Sequence, residues 1–398
     1  MQDQDARSNP LTYSFLVLPY GICNGFVSIT LPFSLVREGF SVATAASVVA
    51  LGLSANLWRF AGAPLVDLTL SLRRWYSLGL GACSVTLLLL GLTPLQPGTV
   101  VAVTGLAFLA SVGANFVVIP VGGLIAHTVR EEQKGRAAGW YQAGNLGGTG
   151  LGGGAGVWLA SHYSLFVAGT TLAACMLLAG LALRFVPDVR PILGETIGQR
   201  LWLLGKDLLD LLRTPLGFLT VILVTSPIGA GAMNNLWSAV APDWHADANT
   251  VALITGVLNG VLSALGCVVG GLVADRVGRW WSYFGSGVLL GLVAIGLAVA
   301  ARTTNFFAAG VLLYAFFSGV AYAAFSAIVL VAIGRGAAST KYALLSSFGN
   351  IPVIYMTSFN SWTHDRYGTA GMLWLEAVAG IGCVALGLAA VARLRGRR

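Results

Sequence analysis

Long apolar stretches alternate with short polar ones along this chain. No Asp, Glu, Lys or Arg occurs between Arg74 and Arg130, between Arg136 and Arg184, or between Arg213 and Asp243. A hydrocarbon core of ~30 Å is crossed by about 20 apolar residues in an α-helix. The first two gaps therefore hold two spans each and the third holds one. Bounding each apolar window by charges and turn residues predicts helices near 12–34, 41–66, 75–93, 98–127, 134–160 and 163–185. After a polar break, six more are predicted near 215–240, 249–274, 281–300, 305–333, 339–361 and 369–392. The expected fold is an all-α membrane protein of twelve transmembrane helices in two pseudo-symmetric six-helix bundles, residues 12–185 and 215–392. Residues 1–11 form a tail, 186–214 a linker and 393–398 a basic tail.

Composition agrees with this pattern. Only 10% of the 398 residues are charged and 56% are hydrophobic, whereas a soluble domain carries about 25% charged residues. The net charge of +8 would suggest nucleic acid in a soluble protein; here it follows from topology. Of the 23 lysines and arginines, 19 fall in the tails and in the connections on the same side. Three (Arg37, Arg302, Arg366) fall on the other side, and one (Arg59) lies within a span. That asymmetry predicts a multi-pass protein of the inner, cytoplasmic membrane with both termini in the cytoplasm. Its setting is the lipid bilayer, no nucleic acid partner is expected, and the oligomeric expectation is a monomer. The N-terminus lacks the pattern of a cleaved signal peptide, so the first span serves as the insertion signal. Within the linker, Leu201, Leu204, Leu208 and Leu211 share one helical face, away from most of Lys206, Asp207, Asp210 and Arg213, as in an interfacial helix. The five cysteines sit in apolar segments without metal-ligand spacing, so neither a disulfide framework nor a metal site is expected. No cofactor is expected either.

Two features recur in both halves. Asp67 closes the second span in "APLVDLTLSLRR" and Asp275 closes the eighth in "GLVADRVGR", 208 residues apart; "GNL" at Gly144 and "GNI" at Gly349 are 205 apart. "GLVADRVGR" resembles the G-x-x-x-D-R-x-G-R loop signature of the major facilitator superfamily. "WRFAGAPLVD" and "EEQKGRAAGWYQAGNLGG" resemble segments of its peptide, acetyl-CoA and drug transporter family, which includes muropeptide permeases. The fourth-span stretch "NFVVIPVGGL" lacks the two carboxylates that relatives tend to carry. The resemblance implies a transporter, with Asp67, Arg73, Arg74, Asp275, Arg276 and Arg279 as a cytoplasmic gate. The aspartates would meet helix N-termini, while the arginines would meet carboxylates or helix C-termini of the neighbouring half. Plain positive-inside anchoring is the alternative for the arginines.

The glycine-rich fifth span contains a literal G-x-G-x-x-G but has neither the following acidic residue of a dinucleotide site nor the lysine of a phosphate loop. Gly144, Gly148, Gly152 and Gly156 instead form a smooth stripe at four-residue spacing, suited to close helix packing in lipid. In the superfamily this helix commonly meets the eighth, where Gly256, Gly260 and Ala264 offer a second small stripe.

Polar residues inside the spans are the candidate solute contacts. Arg59, ~12 Å along the helix from Asp67, either snorkels to pair with Asp67 or faces a cavity and attracts an anion. Asn24, Asn56, Asn115, Asn145, Asn234, Asn235, Asn259 and Asn350 offer amide donors and acceptors. Tyr141, Gln142, Trp237, Tyr314, Tyr322 and Tyr355 add hydroxyl, amide and stacking contacts. Each could equally be glue between helices. Glu38 and Glu376 are the candidates for proton coupling. Together these residues point to a secondary transporter for a small polar, anionic organic solute, muropeptide-, peptide- or coenzyme A ester-like. Proton-coupled symport by alternating access is what the resemblance implies, with efflux by antiport or a receptor on the same fold as alternatives. The four histidines are scattered and form no catalytic cluster, so an enzyme is not expected.

Overall fold

The computed structural model describes residues 8–189, 198–199, 202, 205–206, 209–210, 213–333 and 338–395. Among these residues the chain forms twelve successive helical spans and no strand. The first six are α1 (Thr12–Arg37), α2 (42–68), α3 (Leu72–Leu92), α4 (Val100–Thr128), α5 (134–162) and α6 (Leu165–Phe185). The others are α7 (215–244), α8 (248–276), α9 (Arg279–Val299), α10 (Thr304–Ala332), α11 (338–367) and α12 (369–395). Eight stretches are long and apolar enough to cross a membrane by length and hydropathy alone, one of them running through both α11 and α12. The spans outside that set are α2, α5 and α7, which carry Arg59, the glycine stripe and a break. The interfacial helix expected in the linker, and the end of the basic tail, lie largely outside the described residues.

Local chemistry sets the helix boundaries. Ser41, Ser71, Ser164 and Thr214 cap α2, α3, α6 and α7, each side-chain oxygen accepting from a backbone N–H in the first turn. α11 turns into α12 at Gly368, whose φ of 68° favours glycine. The chain resolves into two compact units. Unit 1 holds Met1–Gln133, Gly144–Leu211 and Ile333–Ser347; unit 2 holds Lys134–Ala143, Leu212–Ala332 and Phe348–Arg398. Each unit thus includes the first turns of one helix from the other half of the sequence.

Within unit 1 the glycine stripe lies against α1. Gly144 faces Ser14, Gly148 faces Leu18 and Gly21, Gly152 faces Ile22, and Gly156 faces Thr30. A Cβ on Gly148 would come within 2.6 Å of the Leu18 carbonyl oxygen. The stripe thus has a partner within its own unit that the sequence reading did not name: α1 presents its own glycines, Gly21 and Gly25, at the matching spacing. A small-residue contact between α5 and α8 does exist, earlier on the helix and inside unit 2, where Gly135 and Gly139 meet Gly271. The π-helical segments Phe26–Thr30 and Leu151–Ala155 belong to the same α1–α5 seam. Thr30 Oγ1 donates across it to the Gly152 and Gly153 carbonyls at 2.8 and 3.2 Å, meeting carbonyls in a widened turn.

Unit 2 has an aromatic core. Trp237, Trp244, Phe307 and Tyr314 are fully buried with Met233, Met372 and Leu373. A second cluster joins Tyr283 and Phe284 of α9 to Leu223 and Ile228 of α7.

The seam gives opposite signs for two alanine substitutions on one helix. Gly152→Ala would force a methyl into the Ile22 backbone and is expected to lower stability by about 1–3 kcal/mol. Gly150→Ala, with open space around it, is expected to be neutral or to stabilise by about 0.5–1 kcal/mol. Thermal unfolding of both variants in detergent checks the pair.

Candidate functional site

Arg59 begins the last helical piece of α2, directly after the tightened 3-10 segment Ser54–Trp58. It is only 9% exposed. Asn115 of α4 locks it to that segment, accepting from Arg59 Nε at 3.1 Å and donating to the Ala55 carbonyl at 2.9 Å. Arg59 Nη2 donates to the Tyr20 hydroxyl of α1, and the guanidinium carbon lies 5.0 Å from the centroid of that ring. Beside this group Asn56 donates to Asn24 at 3.3 Å, leaving the Asn56 amide oxygen buried without a partner. Asp67, the partner offered by the snorkelling alternative, instead accepts from the Thr340 backbone N–H at 2.8 Å. Both hydrogen-bond partners of Arg59 are neutral, and no described carboxylate pairs with it. The fold thus keeps a positive charge inside apolar spans, a placement that costs at least ~2.5–3.5 kcal/mol.

In unit 2 the feature that organises the polar residues is the break in α7. The helix stops at Val224, and Gly229 and Gly231 take φ of 66° and 67° before helical turns resume at Ala232. Backbone carbonyls around the break need donors, and three tyrosines supply them. Tyr283 donates to Leu223 and Ile228 at 3.2 and 2.8 Å, Tyr355 to Thr225 at 2.9 Å, and Tyr322 to Ala230 at 3.3 Å. Beyond the break, Asn234 accepts from Asn259 at 3.2 Å, and the exposed Asn235 donates to Thr357 at 3.1 Å. Trp237, a candidate solute contact in the sequence, is fully buried against Tyr314 and Phe307; its indole belongs to the core. Gln142 is buried and donates to Ser326 at 2.6 Å, and Tyr141 is buried nearby on the same helix. Asn145 is half-buried and Asn350 exposed. Glu38 is exposed at the end of α1, whereas Glu376 is buried in unit 2, accepting from Tyr314 and Asn360. A groove of about 700 Å³ between α1 and α2, lined by Pro32, Phe33, Val36 and Val49, is apolar apart from Ser28 and Arg37 and does not suit a polar solute.

The two repeated aspartates both cap helix starts. Asp275 accepts from the backbone N–H groups of Gly135 and Arg136 at 2.8 and 2.9 Å and from Arg136 Nε at 3.1 Å. Asp67 caps α11 through Thr340. The arginine that joins Asp275 is therefore Arg136 of α5, outside the loop signature. Arg73 is half-buried, Arg74 and Arg276 are exposed, and none of the three pairs with a described carboxylate; Arg279 is half-buried. Near each cap lies a buried lysine the sequence did not single out. Lys134 donates to the Leu330 carbonyl at 3.1 Å and Lys341 to Ile333 at 3.0 Å, placing cations at the C-terminal end of α10, where the helix dipole favours them.

Tyr20, Tyr283 and Asn360 were also missed. A signal existed for each, a polar group inside an apolar window, but nothing in the sequence says which carbonyl or charge it meets. The caps yield a graded expectation. Asp275→Ala uncaps two N–H groups and should cost about 1–2 kcal/mol, with Asp67→Ala costing less; thermal unfolding of the two variants measures the order.

Residues 13–356 match the model of the Major Facilitator Superfamily. No curated protein sequence matches the chain. Among solved structures, the chain is similar to the human organic anion transporter MFSD10 (TETRAN), at 14% identity and a TM-score of 0.74 over 97% of this chain and 100% of that one. It is also similar to a bacterial homologue of the iron transporter ferroportin in an outward-facing state, at 15% identity and 0.68, covering 96% and 98%. The E. coli fucose:proton symporter FucP follows at 14% and 0.73, covering 96% and 97%. At these identities the likeness concerns the fold. With the twelve spans, the duplicated aspartate caps and a family match over most of its length, the chain belongs to the Major Facilitator Superfamily and is a multi-pass membrane transporter, not an enzyme.

Proposed function

We propose that the chain is a secondary active transporter that moves a polar, anionic organic solute by alternating access with proton symport. The observation that carries this reading is Arg59. Nε and one N–H of Nη2 are engaged by Asn115 and Tyr20, which leaves three of the five guanidinium N–H groups to a ligand. A carboxylate or phosphate matches that fork and supplies the counter-charge. Peptides, muropeptides and coenzyme A esters carry such groups, which is consistent with the sequence resemblance. The human neighbour is an organic anion transporter and the E. coli one a fucose:proton symporter, and both activities fit this reading.

The basic side is taken as cytoplasmic and the membrane as the inner one, with the transporter acting as a monomer. Asp67 and Asp275 then act as cytoplasmic latches: each holds the start of a helix by charge-assisted hydrogen bonds, and these must break for the helix to leave. Asn24, Asn56, Asn115, Asn145, Asn234, Asn235 and Asn259 are the amides proposed to present donors and acceptors along the solute path.

Purified protein screened by thermal shift against anionic and neutral solutes tests the assignment. Carboxylated or phosphorylated solutes should stabilise the wild type. Arg59→Gln should keep its unliganded melting temperature near wild type while losing about 10–100-fold in affinity for those solutes. Equal stabilisation of both proteins by neutral compounds would sink the assignment.

A further inference from the structure

Glu376 is the one carboxylate set deep inside an apolar span among the described residues. It lies eight residues into α12 from Gly368, ~12 Å along the helix, and is 7% exposed. Tyr314 of α10 donates to Oε1 at 2.5 Å and Asn360 of α11 donates to Oε2 at 2.7 Å. Leu373 and Ala377, which flank it on α12, belong to the buried apolar cluster that also holds Met233, Trp237, Leu290 and Ala294. Tyr314 is the titratable group in contact, with Tyr322 next along α10. Among the described residues, no arginine, lysine, histidine or second carboxylate is hydrogen-bonded or ion-paired to Glu376. A structural carboxylate in such a place would be paired with a cation; this one is not.

We propose that Glu376 is the site at which the transporter binds and releases its proton, with Tyr314 and Asn360 as positioning residues. The inference rests on the proton-driven reading above and names the group that carries the proton. Asn360 makes both states possible. As placed, its Nδ2 serves the carboxylate and approaches Met233 Sδ at 3.7 Å, while its Oδ1 is buried with no partner. A hydronium ion gives up a proton, its O–H bond breaking to leave water, and a new O–H bond forms at Oε2. Rotation of the Asn360 amide by half a turn then brings Oδ1 round to accept that hydrogen, while Tyr314 continues to donate to Oε1. The same three side chains thus satisfy the acid and its anion.

The site is also tied to the solute residues of its own unit. Asn360, which donates to Glu376, also approaches Met233 Sδ at 3.7 Å, and Met233 precedes Asn234, the partner of Asn259. Protonation at Glu376 therefore bears directly on the short helical turn that follows the α7 break. That turn is bounded by Gly231 and can adjust without unwinding a long helix.

Infrared difference spectra after a pH change, taken on the protein in liposomes without solute, test the proposal. The wild type should show the high-frequency C=O stretch of a water-excluded carboxylic acid, rising and falling with pH and shifting in D₂O. Glu376→Gln should lose that band completely and Glu38→Gln should keep it. Tyr314→Phe should move its frequency, a change that a purely structural role for the tyrosine would not produce. If Glu376→Gln fails to fold, Glu376→Asp replaces it and should shift the band. Persistence of the band in Glu376→Gln, an unshifted band in Glu376→Asp, or no such band in folded wild type would overturn the assignment. Because no solute is present, failure here leaves the Arg59 reading standing, and failure of the Arg59 screen leaves this result interpretable.

Discussion

Hydrocarbon offers no hydrogen bonds, so the backbone polar groups carried into the spans must find their partners within the protein. That constraint explains the arrangement of both units. Where α1 and α5 widen into π turns, Thr30 reaches across to carbonyls of the glycine segment. Where α7 breaks, tyrosines of α9, α10 and α11 supply the donors its carbonyls need. Interruptions of helix geometry are affordable in these places because neighbouring helices have brought the missing partner. A smooth helix at either position would have been less demanding, so the partners mark where the fold retains a deformable joint.

The glycine stripe serves the opposite purpose. At Gly144, Gly148 and Gly152 the contacts of α5 with α1 are backbone to backbone, and only at Gly153 and Gly156 do side chains, Ile29 and Thr30, enter. Such a seam is stiff, and it lies wholly within unit 1. On the proposed reading, motion would fall at the hydrogen-bonded ends and breaks more than at this seam. The Asp275 cap can dissociate by breaking three hydrogen bonds to α5, without repacking a core.

The span pattern, the duplication and the capping role of the aspartates were legible in the sequence because each depends on local spacing or on charge. The partner of the glycine stripe was not. Any helix with small residues at four-residue spacing meets the same requirement, and both α1 and α8 have them, so only three-dimensional packing decides between them. The same limit applied to the tyrosines. Tyr322 and Tyr355 read as solute contacts because a hydroxyl in an apolar span needs a partner, and the carbonyls they serve exist only because α7 is interrupted. Ser226, Pro227, Gly229 and Gly231 could have flagged that interruption. Trp237 reads as a stacking platform in one dimension and as core in three, since the residues around it come from distant spans.

The two units share their latch chemistry but differ in what they bury. Unit 1 holds a cation, Arg59, and unit 2 an anionic group, Glu376. Each is hydrogen-bonded only by neutral groups of its own unit. A buried charge served only by dipoles is tolerated rather than satisfied, so each site favours whatever neutralises it. On the proposed reading, that is a carboxylate or phosphate of the solute for Arg59 and a proton for Glu376. Loading both sites removes both interior charges together. A half-loaded protein keeps one of them in a low-dielectric interior. On the proposed reading, one buried ionisable side chain in each unit gives the solute anion and the proton separate places to be neutralised.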